Sequence, residues 1–237
     1  MEWPASEPDL VAAQLALASG GAPWPPPADL TSLAVAGVFV CFGRGGTGPG
    51  AAGDPGWAAG AVVMGGRLVD AAVVAGEAGF RYVPGLLALR EGPLLEQAMV
   101  GLPARPDVLL VNATGRDHPR RAGLALHLGA VLDIPTVGVT HRTLLATGSF
   151  PETDEQGATA PLRLDGEVIG RWVRTRSGRR PLAIHAGWRT DPQSAVAVVL
   201  AVVGRVRTPE PLRQARRLAR SARAAGTGSQ GDAGSGT

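Results

Sequence analysis

Residues 57–77 restrict the fold more than any other stretch of this chain. Two apolar, β-branched runs, WAAGAVVM and RLVDAAVVAGE, flank Gly65-Gly66. Two glycines accept the positive φ angles of a tight two-residue turn, so the runs read as paired antiparallel strands. The run before them, LAVAGVFVCF (33–42), has the β-branched and aromatic content of a buried strand. Between lies a glycine-rich loop, GRGGTGPGAAGDPG (43–56), which lacks the Gly-Lys-Ser/Thr ending of a phosphate-binding loop. The sheet therefore opens with three consecutive antiparallel strands.

From there strands and helices alternate. RYVPGLLALREGPLLEQAMVGL predicts a turn and then a helix beginning near residues 91–93. DVLLVN (107–112), a polar loop and RRAGLALHLGAVLD predict strand, loop and helix, and PTVGVT (135–140) a further strand. Two shorter strands turn at Asp165-Gly166, and PLAIHAG follows as another. DPQSAVAVVL carries a helix-start signature, EPLRQARRLARSARAA is a basic helix, and residues 9–19 predict a helix capped by Asp9 or an upstream polar residue. This order predicts an α/β fold with a mixed sheet, in which ligands bind beyond strand carboxyl ends. Phe39–Phe42, Asn112 and Thr140-His141 lie near such ends and are expected to converge. Residues 1–224 are expected to form one domain, and 225–237 a disordered Gly/Ser-rich tail.

The charge pattern points to a partner. The chain has no lysine, so all 23 basic residues are arginine, and a net charge of +3 coexists with a pI near 10.3. Arginines cluster at 116–121, 171–180 and 205–223. Their forked donors suit phosphates, although an arginine-rich genome accounts equally well for any one cluster. Cys41 is the only cysteine, which excludes an internal disulfide or a multi-cysteine zinc site. No apolar run approaches the ~18–20 residues of a membrane span, and the start is acidic rather than signal-like. A cytoplasmic monomer without membrane contact is expected.

Four segments carry a resemblance. They are RYVPGLLALREGP (81–93), PDVLLVNATGRDHPRRAGLALHLGAVLDIPTVGV (106–139), GEVIGRWVRTRSGRRPLAIHAGWR (166–189) and RTPEPLRQARRLA (207–219). With the VAGVFV strand they resemble endonuclease V, a metal-dependent nuclease of deoxyinosine lesions. The resemblance implies a ribonuclease H-like fold and a Mg²⁺ or Mn²⁺ site built from three carboxylates. Only one carboxylate position is kept, at Glu91. The first-strand position falls on Phe39 and the central-strand position on Asn112. His141 stands where members carry lysine, and Trp188 where they carry histidine. A hard dication wants charged oxygen ligands. Phe39 has no lone pair and Asn112 brings no charge, so hydrolysis is expected to be impaired or lost. A rearranged site is the alternative, using Glu91, Asp117 and His118, with the imidazoles of His118 and His141 favouring Mn²⁺. Against it, Asp117 is expected to cap the following helix or pair with Arg120 or Arg121.

The resemblance also implies a recognition apparatus. Tyr82, Val83 and Pro84 form a wedge beside the lesion, while Gly85 and Leu87 line the pocket of an extruded base. Arg120, Arg121 and the loop backbone at Gly123 hold phosphates. His127 and Asp133 are expected to be structural, and the tryptophans to be packing residues. Three functions follow: binding of inosine-containing or distorted DNA, or inosine RNA, with weakened hydrolysis; a working nuclease that cuts the second phosphodiester 3′ to deoxyinosine; or a protein-binding scaffold.

Overall fold

The computed structural model describes residues 2–19, 21–43 and 48–228, so the centre of the glycine-rich loop and residues 229–237 of the expected tail lie outside it. The strands are β1 (Val35–Phe42), β2 (Pro55–Met64), β3 (Arg67–Glu77), β4 (Val108–Val111), β5 (Thr136–Thr140), β6 (Thr159–Leu164), β7 (Glu167–Val173) and β8 (Leu182–Ala186). They form one sheet in the order β3-β2-β1-β4-β5-β8-β7-β6. β1, β2 and β3 pair antiparallel, and β1, β4 and β5 run parallel. β8, β7 and β6 return antiparallel. This is the mixed α/β sheet that the sequence predicts. Both tight turns fall on the expected residues, with positive φ at Gly65 and Gly66 and at Asp165 and Gly166.

Alternation along the strands sends side chains to two cores. Val38, Val40, Leu109 and Val111 face α2 (Leu87–Val100) and α3 (Leu124–Leu132). Val35, Val108, Leu110, Val137 and Ile184 face the other layer, which contains α4 (Pro192–Ala201) and Leu212 of α5 (Glu210–Gly228). α5 crosses β1 so closely that any side chain at Gly37 would strike the backbone of Pro211 and Leu212. The N-terminal α1 (Glu7–Leu17) is capped by Ser6, whose hydroxyl accepts from the Asp9 N–H. No described helix is long and apolar enough to cross a membrane.

Two helix ends differ from expectation. α2 begins at Leu87, so Glu91 lies in its second turn and Pro93 inside it. No side chain caps this start; the Leu86 carbonyl accepts from the Leu89 N–H, and Arg90 anchors the first turn to neighbouring loops. Sequence signals for a cap were therefore missing. α5 continues four residues into the segment expected to be tail, and a side chain at Gly226 would crowd the Trp57 indole.

His127 has no exposed surface and stacks on Trp3 at 4.9 Å, and neither ring nitrogen has a hydrogen-bond partner among the described residues. Burial pushes its pKa down to about 4. An unfolded histidine titrates near 6.5, so its stabilisation is complete above that pH and is lost as pH falls toward 4. We expect His127→Phe to narrow the stability gap between pH 7.5 and pH 4.5 by about 2–3 kcal/mol. Urea melts at the two pH values check this, and an unchanged gap would contradict it.

Candidate nucleic-acid interface

The parallel register brings Val38, Val111 and Gly138 side by side, so β1, β4 and β5 end at one edge. Phe39, Asn112 and Thr140 stand there together, as predicted. Two cavities open at this edge. The smaller, about 190 Å³, is lined by Phe39 and Val40 of β1, Leu87 and Glu91 of α2, Asn112 and Tyr82. The larger, about 250 Å³, shares Tyr82, Leu87 and Asn112. It adds Val83, Pro84, Gly85, His118, Thr140 and Leu144.

The turn at residues 82–85 is fixed from both sides. Gly85 has a φ of 81°, a left-handed conformation that glycine adopts without strain. Its carbonyl accepts from Arg120 Nη2 at 3.0 Å and from Gln14 Nε2 at 3.5 Å, with His118 Nε2 at 3.2 Å. The Tyr82 N–H donates to the Gly50 carbonyl at 3.0 Å. Arg90, buried behind the turn, donates to the carbonyls of Ala51 and Phe80 and to Asp54. The Tyr82 side chain remains 44% exposed, so it is no core aromatic.

Of the three expected metal positions, Glu91 is the only acid. Desolvation raises its carboxyl to about 7, against the opposing pull of Arg90. Asn112 Oδ1 accepts from Arg216 Nη2 of α5 at 3.4 Å. The Phe39 ring lies 5.1 Å beneath the Arg216 guanidinium and 5.9 Å from that of Arg220. No group of three or more His, Cys, Asp or Glu side chains that could hold a metal ion occurs among the described residues. One carboxylate, an amide engaged by a cation and an aromatic ring do not fit Mg²⁺.

Several expected site residues are occupied elsewhere. Asp117 neither caps α3 nor pairs with Arg120 or Arg121. It is fully buried and accepts the N–H groups of Leu144, Leu145 and Ala146 at 2.6–2.7 Å. His118 is buried, with Nδ1 accepting the Arg120 N–H while Nε2 faces Gly85; desolvation lowers its pKa. One ring nitrogen is thus engaged by the turn and the other by its own loop. Arg120 is bound to Gly85 and Gln14. Arg121 reaches away to Asp165 at 2.9 Å and Glu167 at 3.4 Å in the β6–β7 turn. Gly123 is the buried N-cap of α3, with Thr114 leaving no room for a side chain.

His141 lies at the exposed sheet edge outside both cavities; desolvation, then the charges of Arg207 and Arg216, lower its pKa. Trp188 follows β8, where its carbonyl meets the N–H of Thr136 at the start of β5. That is the opposite sheet edge, so Trp188 is a packing residue against Leu126 and Ala130, without bearing on the site.

Gln14, Arg216 and Arg220 were missed by sequence reasoning. Gln14 had a signal: it is a lone amide between Leu10 and Leu17 on the buried stripe of α1. Two of the three arginine clusters come together in part. Arg176, Arg179 and Arg180 of the β7–β8 loop line a groove of about 720 Å³ with Arg205 and Arg207 and no acidic residue.

The comparisons with known proteins identify the family and the fold. Endonuclease V of Nocardia farcinica is 44% identical over 161 residues, spanning 68% of this chain and 70% of that protein. The crystal structure of endonuclease V from Streptomyces avermitilis superimposes with a TM-score of 0.83 at 35% identity, over 95% of this chain and 96% of that one. At 19% identity, Ciona intestinalis endonuclease V, crystallised with a 24mer DNA containing an inosine followed by a ribo-adenosine, shares the fold with a TM-score of 0.73. It covers 91% of this chain and 96% of its own. The Endonuclease V family model matches residues 35–217, and the chain belongs to that family.

Proposed function

We propose that this chain binds inosine-containing or distorted DNA, with inosine RNA as the alternative ligand, and that its hydrolysis is severely weakened or lost. One observation carries the reading. The recognition turn opens onto a cavity beside Asn112 and Phe39, where neutral side chains stand at two of the three expected metal positions. Tyr82 offers an exposed flat face for stacking, and the cavity behind it admits an extruded base. The Ciona relative crystallised on inosine DNA supports the ligand class. The arginine groove supplies charge for a duplex backbone. A metal in phosphoryl transfer polarises the phosphate and activates water, and one carboxylate gives it little purchase.

The test is incision of a labelled inosine duplex at stoichiometric protein, with Mg²⁺ and then Mn²⁺, beside a gel shift on the same duplex. We expect binding without cutting. Tyr82→Ala should weaken binding on the order of tenfold, the worth of one stacked base. Specific cutting abolished by Glu91→Ala would overturn the loss of hydrolysis. Equal binding of inosine and undamaged duplexes would overturn the recognition reading.

A further inference from the structure

We propose that Arg216 is the cation this site presents to a bound phosphodiester, so that nucleic acid is held without a divalent metal. The proposal rests on the functional reading above and names the group that carries its charge. Arg216 is held in place on two sides. One Nη2 donor reaches Asn112 Oδ1, and the guanidinium lies over the Phe39 ring, as does that of Arg220 one turn further along α5. A guanidinium has five N–H donors, and this one spends a single donor on a weak bond. Its Nε is buried and has no hydrogen-bond partner among the described residues. Neither Arg216 nor Arg220 makes an ion pair among the described residues, whereas Arg213 on the same helix pairs with Glu210.

The neutral side chains beneath Arg216 therefore have a consequence. A carboxylate at 112 would neutralise Arg216, as Glu210 neutralises Arg213. The amide of Asn112 and the ring of Phe39 orient the cation and leave its charge uncompensated. An aromatic face also attracts a guanidinium without cancelling its charge. A phosphate beside Asn112 and Phe39, which line the smaller cavity, would meet terminal Nη donors that the Asn112 bond does not use. The cation is then part of the fold instead of a bound ion.

The experiment measures binding of the full chain to an inosine-containing DNA duplex, with Mg²⁺ and with excess EDTA, across a salt series. We expect equal affinity in the two media for the native chain. Arg216→Gln keeps a donor and removes the charge, so affinity should fall on the order of tenfold, and the slope of log K against log salt should shrink by about one. Arg216→Lys should recover most of the slope. Arg217→Gln, exposed and bonded to Gln214, should change neither quantity. Thermal melts confirm that each variant is folded. Binding that disappears in EDTA overturns the proposal, as does an Arg216→Gln chain with unchanged affinity and slope. Either result leaves inosine recognition standing. Failure of the native chain to bind the duplex in any medium would remove both readings.

Discussion

Asp117→Ala lowers the midpoint of thermal unfolding by roughly 10 °C and loosens the wall of the larger cavity. Both oxygens are buried, and between them they accept three backbone N–H groups from consecutive residues, Leu144, Leu145 and Ala146. Truncation removes the acceptor of all three donors at once, and each buried donor left without a partner costs about 1–3 kcal/mol. For a chain of this size each kcal/mol is worth about 2–4 °C. His185 belongs to the same cluster. Its ring stands 3.9 Å from Asp117 and within 2.8 Å of Thr140 Oγ1, and burial lowers its pKa against the opposing pull of Asp117. Because Leu144 lines the larger cavity, amide exchange at residues 144–146 should accelerate along with the melt. A midpoint displaced by less than about 3 °C would mean that the loop is held by other contacts.

Asp117 also illustrates which parts of the fold the sequence makes legible. Local chemistry was readable. Gly65-Gly66 and Asp165-Gly166 fall on the expected turns, and the strand ends bearing Phe39, Asn112 and Thr140 meet at one edge. Contacts between distant segments were not. An aspartate six residues before a buried glycine N-cap looks like a helix-start residue, and nothing local says that its partners lie 27–29 positions away. Arg120 and Arg121 look like a phosphate clamp in the sequence, yet each is consumed by protein groups far along the chain. Trp188 matches a histidine position in the family pattern, but the antiparallel direction of β8 carries it to the edge away from the cavities. Arg216 meets Asn112 across 104 residues because α5 folds back over β1, which only the assembled sheet reveals.

That last contact governs the largest expected change in activity. Phe39→Asp with Asn112→Asp places three carboxylates around the smaller cavity, counting Glu91, and metal-dependent incision should rise above the native level. The gain will be limited, because both new carboxylates lie under Arg216 and Arg220 and will pair with them before they pair with a dication. Adding Arg216→Ala removes the nearer competitor. We expect the triple variant to cut an inosine duplex on the order of 100-fold faster than the native chain, about 2.7 kcal/mol of barrier lowering. Single-turnover incision with Mg²⁺ and Mn²⁺ measures this, with Glu91→Ala in the triple background as the control that should return cutting to baseline. The arrangement also predicts an order of effects: the double variant should gain less than the triple, and Arg216→Ala alone should gain nothing. A folded triple variant that binds Mn²⁺ and still fails to cut would show that the lost chemistry resides outside these positions. Cutting by the double variant equal to that of the triple would show that the guanidinium does not compete for the site.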